Sequence, residues 1–148
     1  MRTEVDRIER FDPFVHEHES LHHALGELRC LLEERRSPEK VSVALAEFAD
    51  HVRAHFVHEE ETDGFFDSVV DQAPRLKTRA EVLIAEHADM ARELTRLSEY
   101  AKDGVVFEEW WTNLNGAFES FWQRFCRHER SENDLVQEAF HDDIGSKD

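Results

Sequence analysis

A chain of 148 residues with 34 Asp and Glu against 18 Lys and Arg, a formal charge of -16, fits one domain large enough to bury a continuous core without disulfide staples. The acid is spread along the chain, so a nucleic-acid backbone and an acidic membrane surface are both repelled, and no apolar run approaches the roughly 18 to 20 residues that span a bilayer. Only 5 Gly and 3 Pro occur among 40% hydrophobic and 35% charged residues, a composition short of strand punctuation and rich in helix formers, which predicts an all-α fold.

The charged opening, residues 1–12, lacks the apolar stretch of a secretory leader, and the expected location is cytoplasmic. Cys30 and Cys126 are too few for a disulfide framework and too isolated for a cysteine-based zinc site. Both read as small apolar residues.

The first helix is expected over about residues 14–35, where Phe14, His18, Leu21, Leu25, Leu28 and Leu32 recur three or four apart. Ser37 and Pro38 then start a second helix, Ser as cap and Pro in the first turn. This helix is read over about residues 38–70, with Leu45, Phe48, Val52, His55, Glu59 and Phe66 on its inner stripe and Gly64 as the candidate for a bend or early end. After a break at residues 71–74, Leu76, Ala80, Leu83, His87, Met90, Leu94 and Leu97 mark a third helix over about residues 74–102. Asp103 and Gly104 end it. A fourth, over about residues 107–140, carries Phe107, Trp111, Leu114, Phe118, Phe121, Phe125, His128, Glu132 and Leu135 on one face. Residues 141–148 read as a frayed tail. Short connections force neighbouring helices to run antiparallel, so residues 1–148 are read as a single up-down-up-down four-helix bundle.

Each helix places a histidine where its pattern asks for an apolar residue: His18, His55, His87 and His128. Two helices add a glutamate one turn later, Glu59 after His55 and Glu132 after His128, aiming an imidazole and a carboxylate at the same small volume. Antiparallel partners equally far from their connection lie at equal height. His18 and His55 lie about 19 and 18 residues either side of Ser37, an offset of roughly 1.5 Å, and Glu59 and His87 are equally balanced about Ala73. His87 and His128 fit less well, at about 17 and 24 residues from Gly104, an expected mismatch of roughly 10 Å.

Buried imidazoles and carboxylates without partners cost several kcal/mol each, so six facing one another need a metal or a dense hydrogen-bond network. Imidazole with carboxylate suits iron, manganese or zinc, and the absence of thiolate argues against structural zinc. Two metals bridged by Glu59 and Glu132, each with two histidines and an open position, account for all six residues.

The stretches His-Glu-Ser-Leu at 18–21, His-Phe-Val-His-Glu-Glu-Glu at 55–61, Glu-His-Ala-Asp-Met at 86–90 and His-Glu-Arg-Ser-Glu-Asn-Asp-Leu at 128–135 resemble the hemerythrin-like, or HHE cation-binding, family of four-helix bundles. The resemblance covers nearly the whole chain and implies that His18, His55, Glu59, His87, His128 and Glu132 are ligands of a non-haem di-iron centre, two Fe ions with an oxo or hydroxo bridge, with Zn or Mn as other occupants. The oxygen-carrying members use two histidines four apart on the third helix and a final aspartate; here Leu83 and Ala91 flank His87 by one turn and Glu132 stands for the aspartate. The departure points away from reversible oxygen transport and toward a protein that binds or senses oxygen or iron. The alternatives are a di-iron enzyme consuming peroxide or nitric oxide and a bundle with a mononuclear or structural metal. Dioxygen, peroxide or nitric oxide is then the expected small partner, with no nucleic acid and no membrane, and whether the protein is an enzyme stays open.

Any single histidine on an apolar stripe is more often a satisfied core residue than a ligand. The set of four with two glutamates reverses those odds. His22 and His51 each lie one turn from a ligand candidate, His58 falls off the stripe and is expected to be exposed, and His16, His23 and His141 read as solvated. Glu60, Glu61, Glu129 and Asp134 read as a solvated face, with an adjacent carboxylate able to orient a histidine. Phe118, Phe121, Trp122 and Phe125 are expected to keep water from the site.

Overall fold

A computed structural model describes residues 11–142 as helices joined by short turns, with no strand among them. Helix α1 spans Asp12–Glu34, α2 Pro38–Glu60, α3 Phe65–Gln72, α4 Lys77–Asp103 and α5 Glu108–Gln137, with a 3-10 turn at Pro74–Leu76 and a π turn at Glu138–Asp142. The four long helices make the expected all-α bundle. α1 packs on α2, α2 on α4 and α4 on α5, and the circle closes between α5 and α1, where Arg29 meets Glu119 and Arg35 meets Glu108. No helix among the described residues is long and apolar enough to cross a membrane. Residues 141 and 142, read as part of a frayed tail, instead end the π turn, while the rest of that tail, residues 143–148, and the side chain of His141, read as solvated, lie outside what is described.

Local chemistry sets the helix ends. Ser37 Oγ accepts from the Lys40 amide at 3.3 Å and Pro38 occupies the first turn of α2, satisfying one free amide where proline has none to lose. The second helix does not run to residue 70 as expected. It stops at Glu60, the chain turns through residues 61–64 with Asp63 at φ 60°, and α3 starts afresh. Gly64 makes the turn possible by close approach: a Cβ there would lie 2.8 Å from the carbonyl oxygens of both Glu61 and His58. Phe66, expected on the α2 stripe, therefore belongs to α3.

The last hairpin removes the expected height mismatch. Its cross-pairs, Tyr100 with Asn113, Glu93 with Arg124 and His87 with His128, are each centred between residues 106 and 109. The pivot is therefore about three residues beyond Gly104, and His87 and His128 stand level. Phe107, expected on the inner face, caps α5 from outside and is 69% exposed beside Val105 and Val106. Trp110 and Trp111 are core.

Two apolar clusters fill the bundle. The larger, with Leu28, Leu45, Phe48, Leu94, Leu114 and Phe118, extends toward the α1–α2 and α4–α5 turns. The smaller, with Phe11, Phe14, Phe65, Val69, Leu83 and Leu135, closes the other end. On every long helix the ligand candidates fall between them: His18 between Phe14 and Leu21, His55 and Glu59 between Val52 and Phe65, His87 between Leu83 and Met90, and His128 and Glu132 between Phe125 and Leu135.

Candidate metal centre

All six residues singled out in the sequence come together in this layer, as two adjoining groups. His18, His55, Glu59 and Glu132 offer ligand atoms within 4.8 Å of one another, and so do Glu59, His87, His128 and Glu132. The glutamates are common to both. Glu59 Oε1 lies 3.4 Å from His55 Nε2 and 3.4 Å from His87 Nε2, whereas Glu132 divides its oxygens, Oε1 3.7 Å from His18 Nε2 and Oε2 3.7 Å from His128 Nε2. The i, i+4 spacing on α2 and α5 places each carboxylate one turn from a histidine of its own helix, and the bundle brings the second pair of histidines across from it.

The histidines face each other in pairs through Nε2, His18 to His55 at 2.8 Å and His87 to His128 at 3.0 Å. Every Nδ1 is taken by a carboxylate: Glu129 for His18 at 3.1 Å, Glu17 for His55 at 2.5 Å, Glu60 for His87 at 2.9 Å and Glu86 for His128 at 2.8 Å. A carboxylate accepts from Nδ1–H, leaving Nε2 as the acceptor of each ring when it is neutral. Two lone pairs facing at about 3 Å repel unless a cation, a proton or a metal, lies between or beside them.

The carboxylates carry the same message. Glu59 is fully buried and Glu132 is 1% exposed, and none of their four oxygens has a hydrogen-bond partner with standard geometry. Burial pushes Glu132 well above the usual carboxylate range and the neighbouring Glu59 pushes it further. For Glu59, burial is outweighed by the close Glu132 carboxyl and the His55 and His87 rings, which hold it below that range. Without metal the two therefore divide into one ionised and one protonated group, as like charges sharing a small space must. Burial lowers His18 to about 4, helped by the facing His55, and burial lowers His128 as well. His55 goes up despite its burial, because Glu59 and Glu17 hold its charged form. The residues fit a cation: imidazole and carboxylate donors, orphaned oxygens, and lone pairs already turned inward.

His22 and His51 do not join the set. His22, half exposed, lies 3.3 Å from Glu129 and edge-on to Trp122; His51 is exposed and lines a shallow cleft on the α1–α2 face. His58 is half-buried rather than exposed, sharing Glu17 with His55 at 2.6 Å and lying over Phe14. His16 and His23 are exposed as expected, and so is Cys30, against expectation. Glu129, expected on a solvated face, is 8% exposed and burial raises it to about 7. The rings against the histidines are Phe56, stacked on His87 at 3.9 Å, and Phe66; Phe118 and Phe121 instead pack on Phe48 in the larger cluster.

Sequence reasoning missed Glu17 and Glu86. A signal was present: each directly precedes a ligand candidate, as Glu60 and Glu129 directly follow one. Which histidine each would reach depended on the neighbouring helix.

No match to this chain occurs among curated proteins or among solved structures. The family model for the hemerythrin HHE cation-binding domain matches residues 10–140, a span that contains all four long helices and all six clustered residues. The chain belongs to the hemerythrin HHE cation-binding domain family.

Proposed function

We propose that the chain holds a pair of non-haem iron ions and binds or senses oxygen or iron. His18 and His55 would hold one ion, His87 and His128 the other, with Glu59 and Glu132 bridging. The observation that carries this reading is the sharing of both buried glutamates between two histidine pairs, with all four carboxylate oxygens orphaned. One mononuclear ion would leave two histidines and half of these oxygens unused. Zinc or manganese satisfies the same donors, and iron is favoured because two carboxylates and four imidazoles suit a redox-active pair.

Bound iron would supply one-electron chemistry toward dioxygen, peroxide or nitric oxide. The chain's own residues do the rest. The outer carboxylates hold the Nδ1 protons, the inner glutamates would hold two cations close, and Phe56 and Phe66 keep bulk water off His87.

The test is metal content per chain after expression with iron, with the visible spectrum before and after anaerobic reduction and exposure to air. About two irons per chain with a reversible band of a bridged ferric pair is the expected result. One zinc, or no uptake after reconstitution with ferrous iron, overturns the reading. Turnover of added peroxide or nitric oxide separates an enzyme from a sensor.

A further inference from the structure

The four carboxylates on the outer side of the histidines follow one rule. Glu17 of α1 serves His55 of α2, Glu60 of α2 serves His87 of α4, Glu86 of α4 serves His128 of α5, and Glu129 of α5 serves His18 of α1. The circle closes in one direction around the bundle. Each carboxylate neighbours a ligand candidate in its own chain segment yet faces the histidine of the next helix, so each long helix both gives and receives one such contact, three of them hydrogen bonds and the fourth, Glu129 with His18, an ion-pair contact at 3.1 Å. All four side chains are at least partly screened from water, Glu129 at 10% exposed and Glu17, Glu60 and Glu86 at 34%, 39% and 39%.

We infer that Glu17, Glu60, Glu86 and Glu129 are positioning residues of the centre, fixing each histidine with its Nδ1 proton outward and biasing a bound iron pair toward the ferric state. The first part rests on geometry alone: a ring held at Nδ1 by an acceptor within 3.1 Å cannot present that nitrogen inward. The second follows from charge. The outer four and the inner Glu59 and Glu132 put six carboxylates around one pair of cations, which two ferric ions neutralise better than two ferrous ions. Strong acceptance from Nδ1–H also makes each Nε2 a better donor to the higher charge. This second part rests on the di-iron reading; the first does not.

The experiment has two arms. In the metal-free wild-type chain, long-range proton–nitrogen correlation spectra read the tautomer of each ring. The expected result is Nδ1–H on His18, His55, His87 and His128, with Glu60→Ala releasing His87 alone. A His87 that carries its proton on Nε2 and none on Nδ1 in the wild type, or no change on Glu60→Ala, overturns the positioning role. In the iron-loaded chain, a potentiometric titration with dithionite and mediator dyes, one electron per iron from ferric to ferrous, compares the wild type with Glu60→Gln and Glu86→Gln. Both keep an acceptor oxygen and remove a charge. Each is expected to raise the midpoint potential, while Glu19→Gln, an equal charge change at a residue 72% exposed on α1, leaves it in place. Shifts no larger than that of Glu19→Gln overturn the ferric bias while leaving the iron pair intact. A wild type that takes up no iron overturns the function proposed above and the ferric bias with it, and the tautomer arm still decides the positioning role.

Discussion

The two lengths of the same bundle solve burial in opposite ways. Toward the α1–α2 and α4–α5 turns, Leu28, Leu45, Phe48, Leu94, Leu114 and Phe118 are all but inaccessible and the interior is apolar. Toward the other end, every buried polar residue among those described is found: His55, Glu59, Ser68, His87, His128, Glu129 and Glu132. The first length is stable through the hydrophobic effect and close packing. The second places donors and acceptors that protein groups alone leave unmatched, and a cation supplies what is missing. A helix bundle can therefore separate the task of folding from the task of binding along its own axis.

The largest effect is expected from breaking the apolar length. Phe118→Ala removes a fully buried ring that meets Phe48 edge-on; denaturant unfolding should show a loss of about 3–5 kcal/mol, with the metal content of the folded fraction unchanged. Loss of metal binding at equal severity would show that the two lengths are not separable. Withdrawing metal acts on the other length. Thermal unfolding before and after chelation should show a loss of about 3–4 kcal/mol for each ion bound, if free metal had been held 100- to 1,000-fold above its dissociation constant. An unchanged midpoint would mean that the polar layer needs no cation.

The comparison sharpens if the polar layer is made to resemble the apolar one. Glu132→Met removes a buried carboxyl with two orphaned oxygens, and in the metal-free chain it should raise stability by about 1–3 kcal/mol while abolishing the second metal. A destabilised variant would mean that Glu132 is already satisfied without metal. The polar layer should also be the pH-sensitive one. His18, lowered to about 4, contributes stability above the unfolded value of about 6.5 that is lost as pH falls toward 4. Glu129, raised to about 7, contributes stability below about 4.5 that is lost as pH rises through 7. The two oppose each other between these limits. Glu129→Gln removes one side, so metal-free unfolding free energies should fall more steeply from about pH 6.5 to 4.5 in the variant than in the wild type; parallel curves would refute the opposition. The smallest effect belongs to the surface. Arg29 holds Glu119 through two hydrogen bonds and keeps its carboxyl below the usual range, yet the pair is partly solvated. Glu119→Gln should cost about 0.2–1 kcal/mol at neutral pH, a difference that vanishes as pH falls below the carboxylate range.

Much of the site was legible because helical periodicity is local. A histidine at His18, His55, His87 or His128 interrupts an apolar stripe that neighbours three and four residues away define, and the i, i+4 glutamates follow from the same geometry. The outer carboxylates were not legible, since Glu17 and Glu86 act on helices other than their own. Phe107 continued the periodic pattern of α5 but lies at its cap, where no partner helix faces it.

The sequence by itself determined the all-α class, the four amphipathic stripes and the six residues of the central layer, because spacing along a helix decides which side chains share a face. Only the tertiary structure decided the heights and the cross-helix pairings. The break before Gly64 depends on backbone oxygens a Cβ would strike. The pivot beyond Gly104 brings His87 level with His128, and the circle of carboxylates requires four helices already packed, because each bond joins residues that no local pattern relates.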